Sequence, residues 1–332
     1  MQRFNRRHCI VAAAALLLSP LSWAESSPLP PAIKIVVPFP AGGAVDVTVR
    51  RLGEQLAKGL ATTVIVENKP GASGVIGIRA AAPAAGNGSV LLYAHSGMVT
   101  AQVMGAKIDL LKEFKPVAKL SVAPHLLMVR ADSPYKTQRD LIEAMKAKPG
   151  KLNFGSGGAA SPTHLMYELL EGAVPGVKAT HVPFKGAIDG IFALAGGEID
   201  FQFATPAAAA ELIKSGKLRA LSFTGTSRTP YYPDVPTVAE AGVPGYRAEP
   251  GSGILAEPWG GLLITSKASD ALVARLADAV MAAINTPEMK EVIEKSGSRN
   301  ADRRTPAEFA QDIQQELTEQ RALIKKLGMV AE

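Results

Sequence analysis

With 332 residues, 47% of them hydrophobic, the chain can bury cores for two lobes, and its single cysteine, Cys9, excludes a disulfide framework or a cysteine metal site. The net charge is +6, but the basic residues are scattered and aromatics make up only 5%, which excludes the clustered basic and aromatic footprint of a nucleic-acid binder.

The first 24 residues read as an export signal peptide. Arg3, Arg6 and Arg7 form a basic start, an apolar run follows from Ile10 to Leu18, and Ser22-Trp23-Ala24 fits a small-x-small cleavage site. The expected location is therefore the periplasm, and Arg6-Arg7 leaves the twin-arginine route open beside the general one. Cleavage removes Cys9 and lowers the charge to +3, leaving about 308 residues, roughly two lobes by the length prior. No later stretch reaches 18 apolar residues, so the mature protein is expected to be soluble.

Strand-like and helix-like segments then alternate, which predicts an α/β protein. Strands are expected at 33–37, 63–66, 90–93, 125–129, 152–154, 179–182, 199–203 and 218–223. After the first strand, Val45, Val49, Leu52, Leu56 and Leu60 recur at helical spacing. Thr137-x-x-Asp140 and Thr237-x-x-Glu240 resemble capping boxes. The stretch 231–258, rich in proline and glycine, is the least regular and reads as a return crossing between lobes or a surface lid. Leu272, Val273, Leu276, Val280, Met281 and Ile284 make one late apolar stripe, which Asn285-Thr286-Pro287 ends. Thr305-Pro306-Ala307-Glu308 opens another, carried by Phe309, Ile313, Leu317, Ile324 and Leu327. Both stripes read as core.

Two junctions carry the functional signal. In the first, a buried strand runs into Pro38-Phe39-Pro40-Ala41-Gly42-Gly43 and then into a helix with Asp46 in its first turn. Such a junction turns unpaired backbone N–H groups and the positive helix end toward one point, which suits an anion. The same residues would also serve as a tight turn with Asp46 stabilising the helix end. The second junction is Asn153-Phe154-Gly155-Ser156-Gly157-Gly158-Ala159-Ala160-Ser161, with Ser161 as N-cap, Pro162 at N1, and Thr163 and His164 in the first turn. Ser156, Ser161 and Thr163 carry hydroxyls able to donate to a carboxylate, and the alternative is a solvated glycine loop. Two such loops in one chain favour two lobes gripping one small anion.

Gly155, Gly157 and Ala160 match G-x-G-x-x-A, but the acidic residue expected for a ribose is missing; the next strand leads into Phe184-Lys185-Gly186, and a lysine suits an anion. Gly71-Ala72-Ser73-Gly74 and Gly155-Ser156-Gly157 both fail G-x-S-x-G. His95, His125, His164 and His181 lack metal-site spacing, and His164 draws interest for its place at a loop-to-helix start. No nucleophile–base pair, catalytic residue, metal site or cofactor is expected. A secreted hydrolase, or an orphan scaffold or adhesion protein that kept the fold and lost its ligand, remains an alternative to a binding receptor.

These motifs are collinear with a known family. The run Ile35-Val36-Val37-Pro38-Phe39-Pro40-Ala41-Gly42-Gly43 with Asp46 resembles the opening of Bug-type (TctC-like) periplasmic receptors of tripartite tricarboxylate transporters. Matches continue at Val66-Glu67-Asn68-Lys69-Pro70-Gly71-Ala72 with Gly74, and at Lys148-Pro149-Gly150-Lys151-Leu152-Asn153-Phe154. They end with His181-Val182-Pro183-Phe184-Lys185-Gly186, Gly216-Lys217-Leu218-Arg219-Ala220-Leu221 and Pro233-Asp234-Val235-Pro236-Thr237-Val238-Ala239-Glu240-Ala241-Gly242.

The resemblance implies a type II, Venus-flytrap periplasmic binding protein, each lobe a central sheet flanked by helices. Lobe I would take residues 25–124 and 226–332, and lobe II residues 125–225. It implies a non-enzymatic, monomeric receptor for a small carboxylate: a di- or tricarboxylate, an acidic amino acid or an aromatic carboxylate. Its partners would be membrane permease subunits or a sensor protein. The implied ligand-binding residues are Phe39, Ala41, Gly42, Gly43, Asp46, Ser73 and Ser96 from one side. From the other come Gly155, Ser156, Gly157, Gly158, Ser161, Thr163, His164, Lys185 and Thr205.

This chain departs from the family pattern in several places. The second loop lacks a Gly-Asn-Gly-Ser run, Phe184 replaces a tyrosine, Ala204 stands where aspartate is frequent, Ala85-Gly86-Asn87-Gly88 replaces a shorter turn, and 249–256 looks inserted. These changes bear on the ligand more than on the fold, and the lost polar groups favour a less polar, aromatic carboxylate.

Overall fold

The computed structural model describes residues 29–326 and 328, apart from 160, 226, 230, 245 and 247–257. The expected signal peptide and the expected insertion at 249–256 lie outside the described residues. In chain order the strands are β1 (Ala32–Val37), β2 (Thr63–Asn68), β3 (Val90–His95), β4 (Phe114–Val122), β5 (Leu126–Arg130), β6 (Asn153–Ser156), β7 (Thr180–Pro183), β8 (Phe201–Ala204), β9 (Leu218–Phe223), β10 (Trp259–Thr265) and β11 (Arg299–Asn300). The helices are α1 (Ala44–Leu60), α2 (Val75–Ala81), α3 (Ser96–Val103), α4 (Leu110–Glu113), α5 (Gln138–Ala147), α6 (Pro162–Ala173), α7 (Ala187–Gly196), α8 (Pro206–Lys214), α9 (Asp270–Ile284), α10 (Pro287–Lys295) and α11 (Pro306–Lys326).

The strands form two mixed sheets, ordered β11-β4-β10-β3-β1-β2 and β7-β6-β8-β5-β9. Each contains a parallel trio, β3-β1-β2 in the first and β7-β6-β8 in the second. Helices follow every strand of both trios, so all six strand-to-helix junctions open at the carboxyl edges of their sheets, where ligands of open α/β sheets bind. The two-lobed α/β architecture read from the sequence is what these sheets build.

The apolar spacing read on α1 buries Val49, Leu52 and Leu56 against Ile33, Ile35 and Val37 of β1. Each such side chain contributes roughly 1.5–3 kcal/mol when removed from water. The capping boxes at Thr137/Asp140 and Thr305/Glu308 form and start α5 and α11. Thr237 and Glu240 exchange the same reciprocal bonds (2.8 and 3.1 Å) but close only a turn.

Two strands of the first sheet, β4 and β10, escaped the sequence reading. Pro116 interrupts β4, and the register of β10 against it shifts at Leu262/Leu263, where Pro116 pairs. The Gly260-Gly261 pair in β10 looks like a breaker but is required by packing: a Cβ on Gly260 would meet the Tyr93 hydroxyl at 2.0 Å, and one on Gly261 the Phe309 ring at 2.6 Å. The short edge strand β11 and helix α10 were also missed.

The chain passes between the sheets after β4 and again between β9 and β10. The crossings are tied by Ala123 N–H to the Pro258 carbonyl (2.7 Å) and Thr224 N–H to the His125 carbonyl (2.8 Å). The sequence put the return to the first lobe at 226, but Val238, Val243 and Tyr246 join the core of the second sheet. Gln138 Nε2 donates to the Val238 carbonyl (3.1 Å) and holds that segment down. Away from the crossings the lobes touch through Leu165 and Leu169 of α6 and Leu323 and Ile324 of α11, joined by Val103 and Met104. They touch again where Gly297 lies against Pro206 and Ala207.

Candidate functional site

The first wall of the candidate site is built at the ends of β1, β2 and β3. Loop 38–43 leaves Ala41, Gly42 and Gly43 exposed, with Gly42 at φ +81°. Asp46, one turn into α1, is 2% exposed and points back into the loop. Its carboxylate accepts from Gly42 N–H (2.8 Å), Arg50 Nε (3.0 Å) and Asn68 Nδ2 (2.8 Å). Asn68 Nδ2 also donates to the Phe39 carbonyl (3.1 Å), and Asn68 Oδ1 accepts from Arg50 Nη2 (2.8 Å). Burial pushes the Asp46 carboxyl up, but the hydrogen bonds from Arg50, Gly42 and Asn68 outweigh it and hold its pKa below the usual range. Asp46 is therefore an ionised organiser of the loop whose acceptors face inward. Arg50 and Asn68, absent from the sequence-derived site, complete it; the helical i,i+4 spacing from Asp46 to Arg50 was the available signal.

The next loop on this wall is strained. Gly71, Ala72, Ser73 and Gly74 all have positive φ (121°, 48°, 51° and 94°). For Ala72 and Ser73 that backbone costs about 1–3 kcal/mol each, and both are exposed. Ser73 thus stands at the rim, whereas Ser96 is 1% exposed and accepts from Trp259 N–H (2.9 Å). The expected role of Ser96 as a ligand donor does not fit that burial: its hydroxyl also bonds Glu316. His95 takes the place beside it, capping α3 through Gly97 N–H (3.1 Å) and packing on the Phe39 ring (4.8 Å between centroids). Burial lowers the His95 pKa to about 4, so it is neutral.

The second wall is built at the ends of β6, β7 and β8. Gly155 lies in the strand and faces inward, since a Cβ there would meet Ile199 at 2.4 Å and Gln202 at 2.5 Å. Its role is close packing, not ligand contact. Gly157 N–H donates to Thr163 Oγ1 (3.0 Å) and Gly158 N–H to Ser156 Oγ (3.1 Å). The loop thus uses two of the amides expected to face a ligand. Ser161 Oγ caps His164 N–H (3.4 Å) and meets Thr163 Oγ1 (3.2 Å). Thr163 and His164 are buried, His164 Nε2 facing Glu168 Oε1 at 3.3 Å. Lys185 is exposed in the loop between β7 and α7, and Thr205 is half-buried at the start of α8.

Ser156 meets a partner the sequence reading missed: its Oγ lies 2.6 Å from His181 Nε2. This is the distance of a nucleophile and its base, but the same oxygen is engaged with both backbone groups of Gly158. The hydroxyl also lies 2.9 Å from the Gly158 carbonyl, which accepts from Ser161 N–H as well (3.2 Å). Ser156 is moreover fully buried.

Helix starts separate the site from the rest of the molecule. Side chains cap α3, α4, α5, α6, α9, α10 and α11, through His95, Asp109, Thr137, Ser161, Ser269, Thr286 and Thr305. Among the described residues, the helices without a side-chain cap are α1, α2, α7 and α8, which begin after Gly43, Gly74, Gly186 and Thr205. All four follow parallel strands, two on each wall. The first amides of α1 and α7 are left available to an anion, whereas Gly74 and Val75 N–H at the start of α2 donate to the Gly71 and Ala72 carbonyls, and α8 opens on Pro206 with Ala208 N–H donating to the Thr205 carbonyl.

Comparison with known proteins gives a consistent result. Residues 48–329 match the model of the tripartite tricarboxylate transporter family receptor. The protein BugT of Bordetella pertussis is 34% identical over 245 residues, covering 73% of this chain and 74% of that one. Among solved structures, MatC of Rhodopseudomonas palustris with bound malate is 28% identical, with a TM-score of 0.70 over 88% of this chain and 98% of that one. The R. palustris protein Rpa4515 with adipate is 25% identical, with a TM-score of 0.74 over 90% and 98%.

Proposed function

The chain belongs to the tripartite tricarboxylate transporter receptor family, and from that premise we propose that it is an exported receptor, non-enzymatic and monomeric, that closes two lobes on a small carboxylate in the periplasm. Lobe I would comprise the first sheet with its helices and lobe II the second sheet with the segment up to Tyr246. The loaded receptor would deliver its ligand to membrane permease subunits or to a sensor protein of the same system. The observation that carries this reading is the pair of uncapped helix starts at α1 and α7, one on each wall.

The ligand is proposed to lie between loops 39–46 and 71–74 on one side and 157–161, 184–187 and Thr205 on the other. Phe39, Ala41, Gly42, Gly43 and Ser73 would touch it from the first wall, and Lys185, Thr205 and the loop edge at Gly157–Ser161 from the second. Asp46, Ser156, Thr163 and His164 would act behind them, by holding the loops. Malate and adipate, held by two structural relatives, are both small carboxylates. Phe184 and Ala204 offer no hydroxyl or carboxylate to a polar ligand, which supports extending the range to aromatic carboxylates.

The energetics allow useful affinity without a catalytic group. Micromolar binding needs about 8 kcal/mol net. Charge-assisted hydrogen bonds contribute roughly 1.5–3 kcal/mol each and partly buried helix ends up to about 2. Several such bonds from the helix starts and Lys185 therefore reach the requirement before ordering costs are subtracted. Because a ligand touches both walls only in the closed form, binding drives closure as a population shift. A thermal-shift screen of residues 25–332 against mono-, di- and tricarboxylates, aromatic acids and acidic amino acids tests the proposal. A ligand at 100 times its Kd adds about 2.7 kcal/mol of stability. No stabilisation by any carboxylate, on folded protein freed of bound ligand, would overturn it.

A further inference from the structure

Gln202 has no part in the reading above, yet it lies directly under the start of α7. It stands on β8, the central strand of the second sheet, paired with Gly155 of β6 and Met128 of β5, and it is fully buried. Its Nε2 donates to the carbonyl of Ala187, the first residue of α7 (2.7 Å). That carbonyl can only accept, so the amide has one orientation and Oε1 is turned away from it. There Oε1 has no hydrogen-bond partner. Two glycines make room for it: a Cβ on Gly155 would lie 2.5 Å from Oε1, and one on Gly190 would lie 2.2 Å from it. Neither glycine has a positive φ, so the backbone itself does not call for glycine at either place. Gly190 is moreover inside a helix, where alanine is favoured over glycine. The Gln202 amide is what holds Gly190 to its small size, and together with Ile199 it does the same for Gly155.

We propose that Gln202 is a positioning residue for the anion-facing start of α7: its amide, admitted by Gly155 and Gly190, ties the first turn to the sheet and sets where the amides of residues 186–189 stand beside loop 157–161. The proposal deepens the receptor reading and rests on it only for the anion; the link from Gln202 to α7 stands without it.

Stability alone does not account for a glutamine here. A buried acceptor without a partner opposes folding, and an apolar side chain of the same length would fill the slot without that penalty. What the glutamine supplies is direction. The start of α7 has no side-chain cap and follows the exposed Lys185, so its first turn depends on other ties. The Ala187 carbonyl also belongs to the hydrogen-bond ladder of the helix, so losing Gln202 would leave it paired and free the turn to move. The second loop lies close enough to register such a move, since a Cβ on Gly157 would be 3.1 Å from Ala187 N. A shift of the first turn therefore changes the gap between the α7 amides and loop 157–161, which is where the anion is proposed to lie.

The test uses Gln202→Met, which keeps the length of the side chain and removes both the donor and the unpartnered acceptor. On the whole mature chain it should melt no lower than wild type. The amide resonances of Gly186, Ala187 and Ile188 should nevertheless move, and adipate, titrated by calorimetry, should bind about fivefold more weakly, as the loss of one hydrogen bond implies. A glutamine that only filled the core would leave those resonances in place. Gln202→Ala and Gly190→Ala test the slot in a double-mutant cycle read by melting temperature. Gly190→Ala should lower the melting temperature of wild type, where its Cβ meets Oε1, and should not lower that of Gln202→Ala, where the space is vacant and alanine favours the helix. Unmoved resonances in Gln202→Met, moved resonances with unaltered adipate affinity, or an equal cost of Gly190→Ala in both backgrounds would each overturn the inference. An adipate-blind wild type with the expected resonances and cycle upholds the link from Gln202 to α7 and counts against adipate as the ligand.

Discussion

Replacing Asp46 by asparagine tests whether the first wall is held from within. The carboxylate accepts from Gly42 N–H and Arg50 Nε on one oxygen and from Asn68 Nδ2 on the other. An asparagine has one acceptor. If its oxygen faces Gly42 and Arg50, its amide meets the Asn68 amide, donor against donor. Asn68 cannot turn over to relieve this, because it would lose its bonds from Arg50 and to the Phe39 carbonyl. The substitution therefore removes at least one charge-assisted bond, worth roughly 1.5–3 kcal/mol, and leaves a buried donor unpaired at roughly 1–3 kcal/mol. About 3 kcal/mol in all corresponds to a fall in melting temperature of roughly 6 °C for a domain of this size. Ligand affinity should drop by at least about tenfold, because Gly42 and Gly43 lose their fixed place. Differential scanning calorimetry and ligand titration read the two effects. An asparagine variant that melts with wild type and binds as well would refute the reasoning.

Other consequences concern different parts of the molecule. A Cβ on Gly157 would lie 3.1 Å from Ala187 N, so Gly157→Val should push loop 157–161 away from α7 and abolish binding with little loss of stability, as titration and melting would show. Burial raises the Glu316 pKa to about 8, against hydrogen bonds from Trp259 and Gln320. Its raised folded-state pKa makes the native state most favoured at low pH and progressively less so as pH rises from about 4.5 to about 8. Glu316→Gln should then stabilise the fold by on the order of 3 kcal/mol at pH 7 and by little at pH 5. Gln320 can turn to meet the new amide, since its Oε1 has no partner. His125 acts in the opposite sense: burial lowers its pKa to about 4, so its contribution is full above about 6.5 and is lost as the pH falls toward 4. A His125→Gln variant should show a shallower decline in melting temperature over that window than wild type does. Ile324→Ala should cost roughly 2–4 kcal/mol and loosen the contact of α11 with Leu165, read as a larger radius of gyration without ligand.

The eight strands read from the sequence all form, most of them short β-branched or aliphatic runs, with β6 and β8 carried by the aromatic Phe154, Phe201 and Phe203. Strands β4 and β10 stayed hidden for a common reason: each carries a breaker whose cost is met by tertiary packing, Pro116 at a shift in register and Gly260-Gly261 under Tyr93 and Phe309. The return to the first sheet was misplaced because residues 232–246 carry their apolar groups, Val238, Val243 and Tyr246, without periodicity. At the site, glycines and caps marked both loops, since backbone conformation is written locally. Which side chains reach a ligand was less legible. Asp46 and Ser96 are adjacent to the loops in sequence but turned inward by partners 22 and 163 residues away, Asn68 and Trp259. The pairing of Ser156 with His181 likewise depends on two parallel strands lying side by side.

The most direct measurement is X-ray scattering of the mature chain during titration with the carboxylate that stabilises it most in the thermal screen. The account predicts a saturable decrease in radius of gyration whose midpoint equals the calorimetric Kd, absent in Gly157→Val. Tight binding with no change in dimensions would contradict the claim that the ligand is captured between two closing lobes.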